Sequence, residues 1–64
     1  MLIERKSGLT GQWHEMEIDV TDEQIMAWEH GELIQNAMPN LSPDEREFIK
    51  TGITPQEWEA AFGK

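Results

Sequence analysis

The residues of this chain best suited to acid–base or ligand chemistry are two histidines and thirteen carboxylates; there is no cysteine. Neither His14 nor His30 stands beside a Ser or Asp in a recognisable nucleophile setting, so neither reads as a general base. His14 lies on the apolar side of an alternating segment. His30 falls in a last helical turn, where partial positive charge complements the helix dipole. Both read as structural or surface residues. Glu29, His30 and Glu32, or His14 with Glu15 and Glu17, are metal-ligating types at an unfavourable spacing. Consecutive helical residues point about 100° apart and neighbouring strand residues point to opposite faces, so no metal is expected. The pairs Glu45/Glu47 and Glu57/Glu59 are each two apart on helices and read as solvated helix faces. Gly8 and Gly11 are followed by neither a helix start nor the lysine of a phosphate-binding loop. A nucleotide cofactor is therefore excluded, and no other cofactor is expected.

What remains is recognition. Residues 14–20 alternate strictly, with His14, Met16, Ile18 and Val20 on one side and Glu15, Glu17 and Asp19 on the other, the pattern of a half-buried strand. Trp13 enters that strand in phase with the acidic side. An exposed Trp beside an acidic row has the make-up of an interface hot spot; the alternative is a ring folded over its own hairpin. Trp13, Glu15, Glu17 and Asp19 are the candidate protein-binding residues. Of the three tryptophans, Trp13, Trp28 and Trp58, at least two are expected to anchor the core of so short a chain.

The elements that position these residues are written in helix punctuation. Thr21-Asp22-Glu23-Gln24, Ser42-Pro43-Asp44-Glu45 and Thr54-Pro55-Gln56-Glu57 each pair a capping hydroxyl with a Glu or Gln three residues on, and Pro43 and Pro55 occupy a first helical position. Gly31, Gly52 and Gly63 supply the stops in left-handed conformation, which predicts helices over 22–30, 43–51 and 55–62. Glu32 to Met38 reads as a further short helix, stopped by Pro39. Residues 2–6 are a partner strand for 14–20, joined through the glycine-containing turn Ser7 to Gln12. In antiparallel pairing Arg5 or Lys6 is expected across from the acidic row. Apolar stripes at Ile25, Met26 and Trp28, at Leu33, Ile34, Ala37 and Met38, at Phe48 and Ile49, and at Trp58, Ala61 and Phe62 are expected to face the ribbon. The expected fold is α+β: one domain over 1–64, with a β-hairpin over 1–20 packed on three or four short helices over 21–64. Thr21 to Gly31 and Ser42 to Gly52 follow a similar plan 21 residues apart, which reads either as the product of shared capping rules or, less favoured, as an internal duplication.

Thirteen acids against five bases leave a net charge of −8. That repels nucleic-acid backbones and anionic membranes and draws positive partners. Residues 21–64 hold nine of the acids and three of the bases. Ser42 to Phe62 has helix-turn-helix proportions, but its second helix presents Gln56, Glu57 and Glu59 where a DNA reader needs Arg, Lys or Asn. No apolar run approaches the roughly 20 residues of a membrane span. Absence of cysteine suits a reducing cytoplasm.

Residues 19–63 resemble a group of small acidic proteins encoded by bacterial viruses, closest in wording at Leu33-Ile34-Gln35 and from Arg46-Glu47-Phe48 through Trp58. The resemblance implies no catalytic residues; it implies action inside a bacterium on host or viral macromolecules. The expected function is non-enzymatic binding of a host or viral protein with a basic surface, as an inhibitor or modulator of a defence or nucleic-acid-binding factor. The alternative is a small assembly protein that self-associates, as a homodimer, through the open edge of its hairpin.

Overall fold

Two antiparallel strands, β1 (Leu2–Lys6) and β2 (Trp13–Glu17), precede four helices, α1 (Asp22–Glu29), α2 (Ile34–Ala37), α3 (Pro43–Thr51) and α4 (Pro55–Phe62). The structure, a computed structural model, describes residues 1–63. The fold is α+β, a hairpin followed by short helices.

The register pairs Leu2 with Glu17, Ile3 with Met16, Glu4 with Glu15, Arg5 with His14 and Lys6 with Trp13. Ser7 makes the turn. Its buried hydroxyl accepts the N–H groups of Leu9 and Thr10, while its own N–H bonds the Gln12 carbonyl at 2.8 Å. Alternation then sends Ile3, Arg5, His14 and Met16 toward the helices and leaves Leu2, Glu4, Lys6, Trp13, Glu15 and Glu17 outside. Neither basic residue of β1 lies across from an acid: Arg5 faces His14 and Lys6 faces Trp13.

Strand β2 ends at Glu17, three residues short of the alternating pattern. Ile18 still bonds Met1 through its N–H at 3.0 Å, but the Val20 N–H turns back onto the Ile18 carbonyl at 2.9 Å. Both side chains are buried all the same, so the alternation reports burial beyond the end of the ladder. Asn40 fixes this exit, donating to the Asp19 carbonyl at 2.7 Å and accepting from Gln24 at 2.9 Å.

All three capping boxes close in both directions, Thr21 with Gln24, Ser42 with Glu45 and Thr54 with Glu57. Helix α1 ends in a Schellman arrangement: the Glu32 N–H bonds the Ala27 carbonyl and the Gly31 N–H bonds that of Trp28, around Gly31 at φ 106°. Helix α3 ends at Gly52, also left-handed. Gly63 differs from expectation, for it follows α4 in extended conformation, φ −73°. The second helix is shorter than the predicted span, because Leu33 sits extended at its start with no side chain to cap it.

The core joins Ile3 of β1, Ile18 and Val20 beyond β2, Ala37, Met38 and Leu41 around the end of α2, and Phe48 and Ile49 of α3. Ile25 and Trp28 of α1 pack on it, half-buried, whereas Met26 and Leu33 are exposed. The largest departure is α4. Trp58 is 50% and Phe62 59% exposed, so the Trp58–Ala61–Phe62 stripe does not face the core; the two rings pack on each other at 4.7 Å. Only Trp28 of the three tryptophans contributes to the interior, because the aliphatic side chains and Phe48 already fill it.

The hairpin meets α3 at close range. The Gly8 N–H bonds the Thr51 carbonyl at 2.9 Å, and Arg5 Nε donates to the Ile49 carbonyl at 3.3 Å. A Cβ at Gly52 would stand 2.4 Å from the Lys6 carbonyl oxygen, whereas one at Gly31 would meet nothing within 4 Å. Gly52→Ala combines left-handed strain with a backbone clash and should cost about 3 kcal/mol or more, against roughly 1–2 kcal/mol for Gly31→Ala. Thermal melts of the two variants check this; equal losses would show that the close approach is not made. By the same measurement Phe48→Ala should cost about 3–5 kcal/mol, and Trp58→Ala far less.

Candidate functional site

Three places on the molecule gather chemistry, and the first is a polar joint between the hairpin turn and α4. Glu57 serves α4 as the third helical residue of its capping box, its Oε1 accepting the Thr54 N–H at 3.3 Å. Its other oxygen accepts the Thr10 hydroxyl and lies 2.8 Å from His14 Nε2. The imidazole is close enough for an ion pair when protonated, but lacks the alignment of a hydrogen bond. Glu57 is thus no solvated helix face; its side chain is only 11% exposed. The Thr10 hydroxyl, above all, holds the carboxyl below its ordinary 4.5, at about 2; burial opposes this, while His14, Ser7 and the Thr54 N–H assist it.

A carboxylate, an imidazole and two hydroxyls in one cluster invite comparison with a nucleophilic triad. The connections are wrong for one. Thr10 donates straight to Glu57, leaving the imidazole with no hydroxyl to activate, and Ser7 is a buried residue whose Oγ already accepts two backbone N–H groups. The cluster is a pin that holds α4 to the turn. Among the described residues no three His, Asp or Glu side chains converge as metal ligands.

The second place is the outer face of the hairpin. Trp13, Glu15 and Glu17 stand there together, Trp13 64% exposed and projecting outward, so its ring is not folded into the molecule. Asp19 lies beyond the strand end, exposed, with its carbonyl engaged by Asn40. Met1 and Ile18 exchange both N–H···O bonds, and the Ser7 N–H bonds Gln12. Bonded and non-bonded pairs alternate in an antiparallel ladder, which makes Glu4/Glu15 a non-bonded pair. There the side chains are closest, with Cα atoms about 4.5 Å apart, and like charges directly opposite destabilise a sheet. Glu4 therefore belongs to this face. It went unseen in the pattern of β2 alone, and only the register, centred on the turn, reveals it.

Internal neutralisation of these acids is slight. The Met1 ammonium lies 2.6 Å from Glu17. Among the described residues no Lys or Arg side chain is ion-paired with an acid; Arg5 bonds the Ile49 and Glu4 carbonyls, and Arg46 bonds those of Met38 and Pro39. The third place is a shallow groove of about 190 Å³ between the starts of α3 and α4, where Trp58, Ile53, Pro43 and Pro55 meet Asp44 and Glu47. Among the described residues no helix is long and apolar enough to cross a membrane.

Comparison with protein-family models, curated proteins and solved structures finds no match.

A carboxyl depressed in the folded state contributes stability in full above its ordinary 4.5 and loses it as pH falls toward about 2. Glu57→Gln should therefore melt below wild type at neutral pH, and the gap should close between pH 4.5 and about 2. Melting curves across that range check it; a gap independent of pH would remove the carboxylate from the joint.

Proposed function

We propose that this chain is a non-enzymatic binding protein that engages a basic protein surface through the outer face of its hairpin. The observation that carries the reading is Glu4 set directly opposite Glu15 on an exposed face, beside an exposed Trp13, with no Lys or Arg ion-paired to them among the described residues. An isolated sheet gains nothing from opposed carboxylates, whereas cations brought by a partner relieve the repulsion, and Trp13 supplies a large rigid contact. The acidic field also favours rapid encounter with a basic surface and disfavours nucleic acid and anionic membrane.

The resemblance to small acidic proteins of bacterial viruses gives the proposal its setting. The partner is a host nucleic-acid-binding or defence protein in the bacterial cytoplasm, and the chain modulates it by covering the basic surface it uses. Charged contacts of this kind are screened beyond about 10 Å at 0.1 M salt, so capture from host lysate should be lost on raising salt from about 0.05 to 0.5 M. Glu15→Lys with Glu17→Lys should abolish capture and leave the far-UV spectrum unchanged, and Trp13→Ala should weaken it by about 2 kcal/mol. Charge reversal at Asp44 and Glu47 is the control. Loss of binding there, with the hairpin variants binding normally, would move the function to the groove beside Trp58.

A further inference from the structure

The two edges of the hairpin are not equivalent. Beside β1 stand α3 and the close approach of Gly52 to the Lys6 carbonyl, and the Arg5 guanidinium reaches the Glu4 and Ile49 carbonyls. The ladder's parity points the N–H and C=O groups of Trp13, Glu15 and Glu17 away from β1, and among the described residues no other element bonds them. An uncovered run of this kind is a template for another strand.

Resting on the binding function proposed above, we propose that β2 binds its partner by strand addition, accepting an extended segment that carries Lys or Arg at every second position. Strands pair about 4.8 Å apart and alternate residues project to one face. The outward side chains of an added strand therefore come level with Glu15 and Glu17, and the other half lie beside Met16 and His14, which are half-buried. Basic residues alternating with small or apolar ones satisfy both faces. A cation level with Trp13 also gains the face of its indole.

A second copy of this chain meets repulsion in the register centred on Glu15. Antiparallel pairing of β2 with its twin, centred on Glu15, sets Glu15 against Glu15 in a face that already opposes Glu4 to Glu15. The same carboxylates that repel the copy select the basic segment.

The probe is the blocked peptide Lys-Val-Lys-Thr-Lys-Val-Lys, together with two versions N-methylated on alternate amides, one on each edge of the strand. Strand addition requires N–H groups on one edge only. One methylated version should therefore lose roughly tenfold or more in affinity while the other binds as the parent does. With the parent bound, hydrogen exchange at the Trp13, Glu15 and Glu17 amides should slow by roughly tenfold. Equal binding of both methylated versions with unchanged exchange at Glu15 overturns strand addition. The acidic-face reading then stands if Glu4→Lys with Glu15→Lys still abolishes peptide binding, and falls with it if that variant binds normally. Absence of parent binding at roughly 1 mM, or a dimer of the free protein that protects the Trp13, Glu15 and Glu17 amides from exchange, also overturns the inference.

Discussion

The seating of Gly52 against the Lys6 carbonyl is the contact on which the rest of this small fold depends. A two-stranded ribbon is marginal in water and persists only by resting its apolar side on something else. Here α3 comes close enough for backbone to meet backbone, through Gly8 N–H to Thr51 and the missing side chain at Gly52. That approach brings Ile3 onto Phe48 and Ile49 and leaves the outer sheet face to solvent. The same left-handed glycine turns the chain into α4, whose first turn carries Glu57 to the hairpin turn and whose apolar side remains outside.

Charge placement follows from this geometry. Both arginines lie where backbone carbonyls need donors, Arg5 at the end of α3 and Arg46 at the end of α2 and the residue after it. Used in that way they hold helices to neighbours, and they are withdrawn from the carboxylates. Of the carboxylates, Glu57 is engaged by Thr10 and His14 and Glu17 by the Met1 ammonium. Most of the others face water, and the net charge of −8 is left to act outward. The binding function proposed for the hairpin grows from that imbalance.

The helix boundaries were legible because capping is local: Thr21, Ser42 and Thr54 each find their partner three residues on, whatever the tertiary structure. Burial on the hairpin was legible for a similar reason, since a period of two survives even where Ile18 and Val20 leave the ladder. Relations between distant segments were not. The Trp58–Phe62 stripe has the spacing of a core helix, yet it faces solvent, because periodicity states that a helix has an apolar side and not what covers it. Glu57 read as a solvated acid because nothing near it announces Thr10, 47 residues away. Of the candidate interface, Trp13, Glu15 and Glu17 could be read from β2, whereas Glu4 required the register.

The central claim is that the surface acids repel one another because, among the described residues, no Lys or Arg is ion-paired with them and the Met1 ammonium offsets Glu17 alone. Its most direct test is the thermal midpoint of the free protein as sodium chloride rises from about 0.05 to 0.5 M, a range that shortens the screening length to below about 10 Å. Unneutralised carboxylates predict a midpoint that climbs with salt as self-repulsion is screened. A midpoint that stays level or falls would mean that ion pairs balance the acids, and would contradict the account.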